Sequence, residues 1–160
     1  MRRSLLWAAD ELGDPRLEIA HVDLDGDRLR ARGTQVGVTS GGSAYELHYS
    51  VFEPTLEVEV VGGPSMRLEL GGDADHFDLA YSPLFNSLPV LSHGLHLGGA
   101  ARDFVMTFVS VPELAVQRSE QRYEPLEGRR VRFSSGAFTA ELELDDDGFV
   151  VHYPTIARRL

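Results

Sequence analysis

The chain has no cysteine and no lysine. The first absence excludes disulfides, thiolate metal sites and a cysteine nucleophile. The second removes Schiff-base chemistry, a Walker lysine and a lysine general base. All 15 basic residues are arginine, a bias that fits codon usage or a salt-adapted acidic surface. No apolar run reaches the roughly 18 residues of a membrane-spanning helix. The N-terminal run after Arg2 and Arg3 covers only Leu5 to Ala9 before Asp10 and Glu11. A secretory h-region needs about 7–15 apolar residues, so the segment reads as a first strand and the expected location is the cytoplasm. Gly-x-Gly-x-x-Gly, P-loop and Gly-x-Ser-x-Gly patterns are also missing, and with them any cofactor or hydrolase signature.

What is present is acid. With 25 acidic and 15 basic residues the net charge is −10. Such a surface repels phosphate backbones and anionic headgroups at long range, so nucleic acid is not an expected partner. The 160 residues fit one domain spanning 1–160. A domain of that size buries about 68–70% of its unfolded surface, enough for a core without staples.

The dominant period is two. Leu17, Ile19 and Val22 lead to Asp25-Gly26-Asp27, a hairpin signal, and Leu29, Ala31, Val36 and Val38 return. Tyr45, Leu47, Tyr49 and Val51 alternate with polar residues, as do Leu56, Val58 and Val60, then Met66, Leu68 and Leu70. Phe104 to Val111 is apolar on both faces and predicts a doubly covered central strand. Val116 to Leu126, Val131 and Phe133, Phe138 to Leu144, and Phe149 to Tyr153 continue the pattern. The fold class is therefore mainly β, a single strongly curved antiparallel sheet forming a roll or incomplete barrel. Tyr81 to Gly99 breaks the period. Pro83 and Pro89 forbid a central strand there, so the segment reads as an irregular apolar loop, a lid or part of the core.

Few residues carry chemistry. Asp23, Asp25 and Asp27 lack the Gly and Glu that an EF-hand loop needs at its sixth and twelfth places, and read as a polar turn, as does Asp145 to Gly148. His93 and His96 stand three apart with no glutamate between them, unlike a His-Glu-x-x-His helix. No metal and no cofactor are expected, and no carboxylate pair identifies itself as acid and base. The chain reads as a non-enzyme.

Several stretches together resemble a bacterial family of glycolipid-binding proteins, formerly a domain of unknown function. They are Leu6-Trp7 with Leu17-Glu18-Ile19; Tyr81-Ser82-Pro83-Leu84-Phe85-Asn86-Ser87-Leu88-Pro89; Val111-Pro112-Glu113-Leu114 with Gln121-Arg122-Tyr123; and Phe138 to Leu142 with Asp147 to Val151 and Tyr153-Pro154. The chain departs from that family in a short Leu70–Tyr81 connection and in serines at 82 and 87, where threonine is usual. The resemblance implies a spiral antiparallel sheet, similar to lipoprotein carriers, and a role in holding a lipid or glycolipid. The ligand-binding candidates are Trp7, Phe85, Asn86, Leu88, Gln121, Arg122 and Tyr123. Against this stands a plainer reading in which Trp7 is core, Asn86 and Gln121 satisfy loop backbone, and Arg122 pairs with an acid. Two other readings compete. One is a structural protein, monomer or homodimer, pairing through an edge such as Leu56–Val60. The other is an enzyme acting through His93 or His96.

Overall fold

A computed structural model describes all 160 residues. The chain runs through β1 (Arg2–Ala9), β2 (Arg16–Asp25), β3 (Arg28–Val38), β4 (Ala44–Phe52), β5 (Thr55–Val60), β6 (Ser65–Glu69) and β7 (His76–Leu79). Then come helix α1 (Pro83–His93) and a 3-10 turn (Leu95–Leu97). The second half holds β8 (Arg102–Val109), β9 (Val116–Leu126), β10 (Arg130–Ser135), β11 (Phe138–Leu144), β12 (Val150–Tyr153) and β13 (Ala157–Arg159).

All 13 strands form one sheet in the order β6-β5-β4-β3-β2-β1-β13-β12-β11-β10-β9-β8-β7. Pairing of β1 with β13 joins the two halves of the chain. Every pairing is antiparallel except β7 with β8, a parallel pair whose connection runs through α1 and the 3-10 turn. The Asp-Gly signal is a two-residue hairpin: Asp25 pairs with Arg28 across Gly26 and Asp27. Right-handed twist accumulated over so many strands curls the sheet. It remains open, and no helix is long and apolar enough to cross a membrane.

The apolar segment that breaks the period is a helix. Pro83 opens α1, where its fixed φ and missing N–H cost nothing. Pro89 lies inside it, so one backbone bond is lost. Burial outweighs that loss, because every residue from Pro83 to Leu91 is buried. The helix fills the hollow of the curled sheet and is apolar nearly all round, which is why no amphipathic stripe announces it. Ser87 ties it down: its Oγ donates to the Pro83 carbonyl and accepts from the Val150 amide.

Three other expectations change. On β2 the inward face is Arg16, Glu18, Ala20 and Val22, so Leu17 and Ile19 point outward. β5 pairs with both β4 and β6, so Leu56–Val60 is not an edge. The edges are β6 and β7, and at β7 the Glu53 carboxylate accepts the Phe77 amide. Finally, β8 is second from an edge and fully buried only at Phe104, Met106 and Val109.

Two glycines on β3 let tyrosines from β4 reach across. Gly33 pairs with Tyr49, and Gly37 with Tyr45. A Cβ at Gly33 would overlap the Tyr49 phenol and stand 2.7 Å from the Ile19 carbonyl. One at Gly37 would stand 2.9 Å from the Tyr45 hydroxyl. Overpacking of this kind costs about 1–3 kcal/mol. Gly33→Ala should therefore lower the denaturant midpoint accordingly. Because the clash is partly with backbone, Gly33→Ala made in a Tyr49→Ala background should cost less than it does alone, but not nothing.

Candidate functional site

Lying flat over the glycines, Tyr49 and Tyr45 meet polar groups on β2. The Tyr49 hydroxyl donates to Glu18 at 2.6 Å, and so does Ser82 Oγ. Glu18 is only 2% exposed. Burial lifts its carboxyl to about 7, against the pull of those two hydrogen bonds. Nearer the end of the curl, Tyr45 donates to Gln35 at 2.7 Å and accepts from Arg16 Nε at 3.1 Å. Gln35 donates to the Ala80 carbonyl. The Arg16 guanidinium lies 3.8 Å from the centre of the Tyr81 ring. Tyr81 has a φ of 64°, a left-handed conformation that a bulky residue holds only when its surroundings impose it.

Arg16, Tyr45, Ala80 and Tyr81 of this network form one wall of a cleft of about 590 Å³, with Glu18, Gln35, Tyr49 and Ser82 behind them. The opposite walls come from the ends of β8 to β12, with Phe108, Phe133, Phe138 and Tyr153 as their aromatic part. The floor is polar. Asp78 of β7, 8% exposed, accepts from Gln121 Nε2 at 2.6 Å through Oδ2. Asn86 of α1 donates to the Tyr123 hydroxyl at 3.0 Å, which donates in turn to Gln121 Oε1. Burial raises Asp78 to about 6, and the Gln121 bond opposes the rise. A buried carboxylate flanked by amides and aromatic rings can accept hydroxyl protons and pack against apolar ring faces.

Of the residues anticipated from sequence, Asn86 and Gln121 line the cleft. Tyr123 is buried behind them and orders both. Arg122 faces outward and pairs with Asp103 at 2.9 and 3.0 Å. Trp7 is core, donating Nε1 to the Val150 carbonyl. Phe85 and Leu88 pack inside the hollow, Phe85 edge-on to Tyr49 at 5.3 Å. Asp78, Arg16, Tyr45, Tyr81, Phe133, Phe138 and Tyr153 are additional lining residues. Asp78 carried one sequence signal, a lone acid inside His76-Phe77-Asp78-Leu79-Ala80.

The histidines do not converge on the cleft. His76 donates Nδ1 to Glu53 at 2.7 Å, and the exposed His93 packs on Phe104 with ring centres 5.0 Å apart. No group of three His, Asp or Glu side chains is arranged to hold a metal. The acidic turn at Asp145 is internally satisfied: Oδ1 accepts from the Asp147 and Phe149 amides, and Oδ2 from Arg3 and Arg159.

The fold and its cleft define an open, curled β-sheet protein wound on a central helix. The chain belongs to the family described as "Putative glycolipid-binding", whose model matches residues 58–159. That match takes in α1 and the cleft floor. The fold is also similar to the crystal structure of a DUF1089 family protein from Pseudomonas aeruginosa, with a TM-score of 0.56 and 22% identity. The likeness covers all of this chain and 90% of that one. No curated protein matches.

Proposed function

We propose that this protein is a non-enzymatic binding protein for a glycolipid or a related amphipathic molecule, held in the cleft at the open end of the curl. The hollow of the sheet is occupied by α1, and the cleft at its end carries the apolar lining an amphipathic guest needs. The observation that carries the reading is the juxtaposition of the buried Asp78–Gln121 pair with Phe133, Phe138 and Tyr153 in one open cavity. Its volume falls within the roughly 300–1,000 Å³ of small-ligand sites. Family membership supplies the ligand class. Binding without turnover is favoured because glycoside chemistry needs two facing carboxylates, and here the buried carboxylate faces an amide. The other acids of the lining, Asp14 and Glu113, are at the rim.

Isothermal titration with octyl glucoside, octyl galactoside and octyl mannoside, below their micellar concentrations, tests the reading. At least one should bind, and Gln121→Ala should weaken it by about tenfold, the worth of a buried hydrogen bond to a charged group. Absence of heat with all three, or binding that Gln121→Ala leaves intact, overturns it.

A further inference from the structure

Taking that cleft as the ligand site, we infer that a neutral, hydroxyl-rich headgroup enters first and lodges against Asp78, Gln121 and Asn86, while the acyl chain stays outside the mouth. The buried acceptors at the back of the cleft carry this order of entry. Its floor is made of side chains that are both polar and buried. Gln121 engages only Oδ2 of Asp78, and Asn86 uses its amide nitrogen on Tyr123. Asp78 Oδ1 and the Asn86 carbonyl oxygen therefore have no partner within the chain and can accept from a ligand. Sugar hydroxyls match them. The end of an acyl chain in the same place would leave Asp78 Oδ1 and the Asn86 carbonyl oxygen without water or partner, a desolvation cost of about 1–3 kcal/mol for each.

The mouth combines exposed rings with polar side chains, Asp14, Ser40 and Glu113 among them. Tyr81 and Phe138 flank it and are 44% and 42% exposed, with Val38 beside them. Exposed rings next to apolar backbone ends give a chain a path along the surface, not into the interior. Between floor and mouth, Phe133 and Tyr153 offer faces for the C–H side of a sugar ring.

Charge narrows the headgroup. The lining carries Asp14, Asp78 and Glu113 against one cation, Arg16. That guanidinium is already committed to the Tyr81 ring and the Tyr45 hydroxyl. A phosphate, sulfate or uronic acid headgroup seated against Asp78 would meet a carboxylate whose hydrogen-bond partner is an amide, with no cation beside it. An uncharged sugar meets no such penalty. A ligand seated this way is recognised by its headgroup while its tail remains with a bilayer, so the protein reads a glycolipid without extracting it.

Titration of the full chain with methyl glycosides of glucose, galactose and mannose, their octyl counterparts, glucose 6-phosphate and dodecanoate tests the inference. One methyl glycoside should bind within about tenfold of its octyl form, because the hydroxyl contacts dominate. Asp78→Asn should weaken methyl and octyl forms equally. Phe138→Ala, which removes a ring at the mouth, should weaken the octyl form more than the methyl form. Glucose 6-phosphate and dodecanoate should not compete. If an octyl glycoside binds but no methyl glycoside does, or dodecanoate displaces it, the headgroup-first order is wrong while the cleft remains the site. If no probe binds, the cleft reading fails and the order of entry with it.

Discussion

Replacing Phe85 with alanine lowers the unfolding free energy by about 3–5 kcal/mol. Phe85 has no solvent exposure. It sits on the helix at the centre of the curl, edge-on to Tyr49. On a surface helix, neighbours could close over the gap. Here α1 is enclosed by the sheet, and inward relaxation of one strand would disturb the Gly33–Tyr49 pair and the Glu18 hydrogen bonds behind it. The site therefore collapses poorly, and the cost belongs at the high end of its range. For a domain with about 5–15 kcal/mol of total stability, that is a large fraction. Urea unfolding followed by circular dichroism should show a lower midpoint with an unchanged slope. A shift under about 1 kcal/mol would mean that α1 does not hold the sheet together.

The same helix marks where sequence reading reaches its limit. Strands with one wet face were legible because their pattern records which side meets water, and β4, β5, β9 and β11 fall where the alternation places them. Wholly buried elements leave no such record. Pro83 to Leu91 has no stripe because it has no wet side, and His76–Leu79 has none because all four residues of β7 are buried. β2 was legible in extent but not in face. Leu17 and Ile19 outvoted Glu18 on hydropathy, yet Glu18 goes inward because Tyr49 and Ser82 wait there to bond it. The cleft was legible only in Asn86 and Gln121. Its remaining lining residues come from strand ends far apart in sequence, and only the curl brings Arg16, Asp78 and Phe133 around one space.

Those two inward acids should also set the pH dependence of stability. Burial raises Glu18 from 4.5 to about 7 and Asp78 from 3.8 to about 6. In both cases the folded state holds its proton more tightly than the unfolded chain does. The stabilisation is thus complete below the unfolded values and fades as pH rises through the folded ones. At 1.36 kcal/mol per unit, each group accounts for about 3 kcal/mol between acid and pH 8. Asp145 and Asp10 work in the opposite sense. Arg159 and Arg3 outweigh burial at Asp145, and the Thr155 amide and His152 hold Asp10 down, so their contributions are lost only in more acidic solution. His93, lowered by burial and by His76, also favours higher pH, but it is exposed and solvent screens it. Between pH 5.5 and 8 the buried acids should therefore prevail, and urea midpoints should fall with rising pH. Glu18→Gln copies the protonated side chain and keeps an acceptor for Tyr49 and Ser82, so it should remove about two-thirds of the decline, most of the Asp78 loss falling below pH 6. Midpoints that stay level or climb across this range would show that neither acid holds its proton more tightly in the fold, and an unchanged slope in Glu18→Gln would show it for Glu18.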